Sequence, residues 1–356
     1  MTAGSTPRVS ILLPSLNARE FLEPRIDSLL NQTFTDWEAI VLDSQSTDGS
    51  WEFFKSVAQT DSRFRLHQIP REGLYAALNR GVDLASGEFL HVATCDDAMA
   101  PEFLSKMLEA LARFPKAGMA ASDVLLINRD GNELSRKDLR GRLAKRAAKN
   151  LLSLDIVRTA FPWETEQNIN YRPVPYDCLL HFDGRSVYLS LNQLVIRTAL
   201  AQAVGPFEMT IGSVADFDWL LRLTHSTASV HVPKKLAMWR YHGNQLSLQP
   251  DSSRAGSQRA AAERTLQQIC DDNSILLSRN DRAALLLPLK IREYRAPIGR
   301  VACWFESVAR LARMFLERPS STLRGLLRVK FRFGTRQHSL LPMILQGAGL
   351  GPRELK

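Results

Sequence analysis

The chain has 356 residues, 45% of them hydrophobic and 23% charged, with a formal net charge of +9. That balance is globular and excludes a disordered or fibrous polypeptide, and no apolar run approaches the ~20 residues of a membrane-spanning helix. Four widely spaced cysteines (Cys95, Cys178, Cys270, Cys303) form no CxxC pair, which argues against structural zinc and a disulfide framework and for reduced thiols.

The start, "MTAGSTPRVSILLPS", lacks the basic head and apolar centre of a signal peptide, so a cytoplasmic protein is the expectation. "VSILLP" (9–14) reads as a buried strand and "REFLEPRIDSLLNQ" (19–32) as a helix with apolar residues at helical spacing. "WEAIVLD" (37–43) is a second strand ending in an acid, and "STDGSWEFFKSVAQ" begins with capping residues and continues as a helix. A third strand follows at 63–69, a helix at 73–85, a fourth strand at "EFLHVA", a helix at 101–114 with Pro101 suited to its first turn, and a fifth strand at 117–128. Such alternation predicts an α/β domain with a mostly parallel sheet, whose ligands bind beyond the carboxyl ends of the strands. Ser15, Asn17, Asp43, Asp96 and Asp97 all follow strand ends and converge on that rim.

After Asn128 the pattern loosens. An insert or lid spans about 129–185, and its segment "AFPWETEQNINYRPVPYD" reads as a long loop. Trp163, Tyr171 and Tyr176 there suit either stacking on a bound ligand or packing within the lid. Residues 186–200 read as a strand entering a helix, 214–226 as a helix with acids in its first turn, and "ASVHVP" and "KLAMWRYHG" as two strands. Residues 249–263 look like a polar linker into a helical, basic tail: positions 284–356 hold 14 Lys and Arg against 4 Asp and Glu.

Adjacent acids at a strand end suit a hard divalent cation, Mn²⁺ or Mg²⁺, which takes oxygen ligands and keeps substrate phosphates in its shell. The plainer alternative is that Asp97 caps the next helix and Asp96 is a solvated turn residue.

The segments "VSILLPSLNAREFLEPRIDSLLNQTFTDWEAIVLDSQSTDGS", "REGLYAALNRGVDLASGEFLHVATCDD", "DFDWLLRL" and "WRYHGNQLS" resemble, in order and spacing, the family 2 inverting glycosyltransferases over roughly residues 8 to 248. The resemblance implies a GT-A fold, a nucleotide-diphospho-sugar donor, a divalent metal and single displacement with inversion. It implies that Pro14, Ser15 and Asn17 border the nucleotide, that Asp43 accepts the imide N–H of uracil, and that Arg71 either pairs with a phosphate or is a surface arginine. It puts Asp96 and Asp97 in the metal motif, Asp96 as direct ligand and Asp97 on the metal or the sugar. Asp48 caps the helix after it. Asp216 aligns with the base, Asp218 is a second candidate, and His242 and Arg240 are candidates for the metal and the leaving diphosphate. Two positions depart from the family: Thr94 and Ala215 stand where acids are common.

These readings assign residues 1–248 to a GT-A domain and 249–356 to a mainly helical basic extension. Within the extension, 297–317 forms a basic amphipathic pattern, with Val301, Trp304, Phe305, Val308, Leu311 and Phe315 near one face. Such a helix packs on the catalytic domain or lies on a membrane surface, where lipid-linked acceptors reside. No nucleic-acid-binding module is visible. Two rivals remain: a catalytically weak nucleotide-sugar-binding partner subunit, motivated by the departures, and another nucleotide-processing α/β enzyme.

Overall fold

The computed structural model describes residues 6–134, 164–166, 168–174, 176–181, 188–242 and 254–271. Ten strands among the described residues form one sheet of order β3-β2-β1-β4-β9-β6-β10-β8-β7, with β5 paired to β10. They are β1 (Val9–Ser15), β2 (Trp37–Asp43), β3 (Phe64–Gln68), β4 (Phe89–Val92), β5 (Ala98–Met99), β6 (Ala117–Ile127), β7 (Glu164–Glu166), β8 (Ile169–Arg172), β9 (Leu194–Arg197) and β10 (Ala228–Arg240). β1 to β4 are mutually parallel, and β6 and β10 pair in parallel. β9 runs antiparallel between β4 and β6. This is the expected α/β fold, but the sheet is mixed: beside these parallel pairs, β5 and β8 pair antiparallel with β10, and β7 with β8.

β1 and β2 are buried along their whole length. Val9, Ile11 and Leu13 share one core with Leu22, Ile26 and Leu29 of helix α1 (Arg19–Leu30), Phe54 of α2 (Ser50–Thr60), and Met107 and Leu111 of α4 (Phe103–Arg113). The alternate residues face α3 (Leu74–Leu84), which approaches closely because Gly81 lacks a Cβ. A Cβ there would stand 2.8 Å from Leu42 Cδ1 and 3.0 Å from Leu12. Helices thus cover both faces, as parallel strands require.

Five local expectations change. The two strands read at "ASVHVP" and "KLAMWRYHG" are one 13-residue strand, β10; register shifts between Val232 and Lys235 and between Lys235 and Ala237 absorb Pro233, which has no N–H for the ladder. Within the described part of 186–200, residues 188–200, strand begins at Leu194, after a 3₁₀ turn, Leu191–Gln193, that Ser190 and Gln193 enclose in a capping box. In the loop-like segment, Glu164–Glu166 and Ile169–Arg172 form a hairpin, β7–β8, that extends the sheet beyond β10, and a short helix, Tyr176–His181, begins at the segment's end. The polar stretch read as a linker is already helical from Arg254, in a helix reaching Asp271 whose Ala, Glu and Gln content favours that state. Pro101 precedes α4, two residues before its first residue. The patterns at 297–317 and 323–333, and Trp163, lie outside the described residues.

At the end of the sheet away from the rim, Glu38 ties β2 to β1 and to the turn before β4. Its Oε1 accepts from Ser10 Oγ and Ser86 Oγ, both at 2.7 Å, and its Oε2 pairs with Arg65 Nη1 at 2.6 Å. Burial works against this charge, but the hydrogen bonds from Ser10, Arg65 and Ser86 outweigh it and hold the carboxyl below its ordinary value of 4.5. A depressed folded-state pKa stabilises the fold above the unfolded value, and that contribution is lost as pH falls through the depressed one. Glu38→Gln should therefore lose about 1–2 kcal/mol at pH 7, and the gap from wild type should close as thermal unfolding is repeated toward pH 3. A gap that does not narrow in acid would refute the assignment.

Candidate functional site

The C-terminal ends of β1 and β2 lie side by side, with Ser15 opposite Asp43. Asp43 is fully buried. Its Oδ2 accepts the Ser46 N–H at 3.0 Å, and its Oδ1 has no hydrogen-bond partner among the described residues. Burying a carboxylate oxygen unpaired is costly, so this atom is poised for a donor from outside the chain. The loop after it is rigidly built. Asn17, in a left-handed conformation (φ 49°), accepts the Thr47 N–H at 2.9 Å through Oδ1 and donates its own N–H to Ser46 Oγ at 2.9 Å. The Ser15 carbonyl accepts the Ser44 N–H. Arg71 reaches back across the loop: its Nε donates to the Ser44 carbonyl at 3.1 Å and its Nη2 to the Gln45 carbonyl. Asp48 joins two helix starts, accepting from Ser50 N at 3.1 Å and from Arg19 N at 2.9 Å, which includes the expected capping contact.

The paired acids stand on a turn three residues past β4. Cys95 fastens that turn to β1 by donating to the Pro14 carbonyl at 3.1 Å; burial pushes its thiol up to about 12, so it stays protonated. The acids face opposite ways. Asp97 is 2% exposed. Its Oδ1 accepts the Arg240 backbone N–H at 2.9 Å, and its Oδ2 accepts from Thr94 Oγ1 at 2.5 Å and Ser190 Oγ at 3.5 Å. Burial, and next the charge of Asp96, raise its carboxyl above the ordinary value. Asp97 therefore does not cap α4. Asp96, with 31% of its side chain exposed, meets His242: Oδ2 to Nε2 is 3.0 Å. The His242 ring lies 4.7 Å from that of Phe21.

Arg240 is 2% exposed. Its guanidinium donates to the carbonyls of Asp96, Asn128 and Arg129 at 2.8, 3.1 and 2.8 Å, so in this structure it braces the turn. Asp216 and Asp218 open helix α5 (Ala215–Ser226). The helix ends at Thr227, whose hydroxyl accepts the N–H of Gly118 at the start of β6. Near its other end, Trp219 stacks on Phe207, and Phe207 stacks on Tyr75 in the first turn of α3. α5 thus runs from the rim to the far end of the sheet, with Asp216 at the rim. Asp216 is half-buried, and its Oδ1 accepts the Phe217 N–H at 2.7 Å. Asp218 is buried and paired with Arg222 at 3.0 Å, and Arg222 also binds the carbonyls of Gly205 and Pro206. Asp218 thereby holds the approach to the helix. Tyr171 stacks on Phe114 at 5.3 Å, a packing contact.

Sequence reasoning missed Arg25 and Asn192. Both are fully buried beside the acid turn, joined by Arg25 Nη2 donating to Asn192 Oδ1 at 3.1 Å. The signal for Arg25 was its position: it falls on the apolar stripe Leu22, Ile26, Leu29, where a cation has no solvent. Burial lowers its guanidinium to about 10, opposed first by Asp97 and also by Asp96, so it remains charged at neutral pH.

Among the described residues no three His, Cys, Asp or Glu side chains gather into a closed metal cage. An open carboxylate–imidazole pair still fits Mn²⁺ or Mg²⁺ in sites where substrate phosphates complete the shell.

Residues 10–163 match the family model of glycosyl transferase family 2. The chain is similar to EpsH of Bacillus subtilis, a putative glycosyltransferase, at 33% identity over 29% of this chain and 30% of that protein. It is 32% identical to TuaG of the same organism, a putative teichuronic acid biosynthesis glycosyltransferase, over 29% of this chain and 41% of that one. These matches cover less than half of each relative. S. aureus TarS, residues 1–349, solved with UDP-GlcNAc, shares the fold with TM-score 0.56 and 15% identity, over 81% of this chain and 72% of that one. A mannosyltransferase of Pyrobaculum calidifontis, solved with GDP-Man and Mn²⁺, aligns with TM-score 0.51 and 17% identity, over 97% and 87% of the two chains. Strand order and sequence match agree: residues 10–163 match glycosyl transferase family 2, on an α/β fold shared with these glycosyltransferase structures.

Proposed function

We propose that the chain transfers a sugar from a nucleotide-diphospho-sugar, a UDP-sugar in the first instance, to a glycan or lipid-linked acceptor with inversion. The observation that carries this reading is the pairing, on one rim, of a buried carboxylate with an unused oxygen, Asp43, and an outward carboxylate–imidazole pair, Asp96–His242. Asp43 Oδ1 suits the imide N–H of uracil, which donates one hydrogen bond. The UDP-GlcNAc complex of TarS supports a uridine donor. Pro14, Ser15 and Asn17 border the base and Arg71 shapes the loop over it.

Asp96 and His242 would hold a divalent cation, and Asp97 would fix the turn that presents them. A bound cation neutralises the diphosphate and stabilises it as it leaves. On the opposite side of the anomeric carbon, Asp216 takes the acceptor hydroxyl proton. The new carbon–oxygen bond forms as the bond to the nucleoside diphosphate breaks, which inverts the centre. Arg240, through its hold on the Asp96 carbonyl, keeps the leaving-group side of the site rigid. Residues 1–248 form the transferase domain in this reading. The basic segment 284–356, outside the described residues, either packs on the catalytic domain or would meet the membrane surface from which a lipid-linked acceptor would be drawn.

Calorimetric titration with nucleotide-sugars should give binding of one UDP-sugar that tightens with Mn²⁺ and weakens in EDTA. Asp43→Asn should reduce it about tenfold or more, having replaced an acceptor oxygen with the risk of a donor facing the imide N–H. Folded protein that binds none of the panel would sink the donor-site reading. For the base, Asp216→Asn should lower turnover about 10²–10⁴-fold while donor affinity stays within twofold. Undiminished turnover would remove Asp216 from the chemistry, and a wild type that binds donor without transferring sugar would favour a binding subunit.

A further inference from the structure

Arg25 is a costly residue for the inside of a helix face. It is fully buried among Leu22, Ile26 and Leu29, and its Nε and Nη1 make no hydrogen bond among the described residues. If packing were its purpose, a methionine or leucine would fill the space without desolvating a charge. What it does reach is the acid turn. Nη2 donates to Asn192 Oδ1, and Asn192 Nδ2 donates in turn to the carbonyls of Ala98 at 3.1 Å and Met238 at 3.3 Å. Ala98 directly follows Asp97. Met238 lies two residues before Arg240, whose N–H binds Asp97. The Asn192 N–H donates to Ser190 Oγ at 3.1 Å, and Ser190 Oγ donates to Asp97. One guanidinium is thus tied, through a single amide side chain, to the acid turn itself at Ala98 and to β10 at Met238.

Building on the donor-site reading above, we infer that Arg25 is a positioning residue of that site, a buried cation that fixes the Thr94–Ala98 turn through Asn192 so that Asp96 meets the metal-bound diphosphate. Its charge replaces none of the metal's, because it lies behind the acids and not among the groups that face outward. Its effect is on how rigidly the turn is held, in the way that groups behind metal ligands set their affinity. Metal-free uridine binding, which uses Asp43 on β2, does not pass through it.

The test titrates UDP into the full chain with saturating Mn²⁺ and again in EDTA, for wild type, Arg25→Met, Arg25→Lys and Asn192→Ala. Arg25→Met should lower the Mn²⁺-dependent affinity about tenfold or more, with the EDTA affinity within twofold of wild type. Arg25→Lys, which keeps the charge, should recover part of the loss. Asn192→Ala, which keeps the cation and removes its acceptor, should move the affinities in the same direction as Arg25→Met and carries the test if that variant does not fold. Equal Mn²⁺-dependent affinity in wild type and Arg25→Met overturns the inference alone. Equal losses with and without metal also overturn it, since that is the mark of a general structural defect. Wild type that binds no UDP under either condition overturns the donor-site reading and this inference with it.

Discussion

Burying a carboxylate is costly unless its oxygens find donors, and Asp97, met on both oxygens, is the acid on which this rim is built. Its Oδ1 takes the backbone N–H of Arg240 from the end of β10, and its Oδ2 takes hydroxyls from Thr94 and Ser190. Those partners come from the turn after β4, from the 3₁₀ turn before β9 and from the last residue of β10. β4 and β10 are not neighbours in the sheet; β9 and β6 lie between them. One buried acid therefore closes the rim across the breadth of two strands. The orientation of Asp96 follows from it. With its neighbour facing inward and its own carbonyl held by Arg240 Nε, Asp96 presents its side chain outward to His242.

The same constraint explains the two departures from the family pattern. Thr94 stands where an acid is common, and its hydroxyl donates to Asp97 Oδ2. A carboxylate in that place would set a third negative charge against a buried one, with like-charge repulsion and no donor to offer. Ala215 is fully buried at the start of α5. An ionised acid at that site would need a partner inside the core. Both changes suit their surroundings, so neither by itself argues that the rim has decayed. The acids that remain outside are fewer, which puts more weight on Asp96, His242 and Asp216.

How much of this was legible in the sequence depends on the range of the interactions involved. β1, α1, β2, α2 and α3 were readable because their signals are local: short apolar runs, helical spacing and capping residues near Gly49. The rim residues Asp43, Asp96 and Asp97 were readable because parallel strands put their carboxyl ends together whatever the details. β10 was read as two strands because a proline normally ends a run, and only pairing with β6 shows bulges carrying the strand past Pro233. β7 and β8 were invisible for a similar reason: "ETE" and "INYR" have little strand character until β10 offers them an edge.

Arg25 and Asn192 mark a different limit. Arginine on a helix usually lies at its polar face with the head group in water, and nothing within α1 says that the partner of this one is 167 residues away. Only the strict periodicity of Leu22, Ile26 and Leu29 argued otherwise, and a single polar intrusion on such a stripe is easily read as noise. That Asp97 turns inward was hidden in the same way, although the resemblance already set Asp96 apart as the direct ligand, since adjacent residues share their local sequence and differ in which way each faces. Long-range polar contacts of this kind are weak in propensity and strong in consequence. They decide which of two equivalent carboxylates meets solvent, and hence which one is available for chemistry.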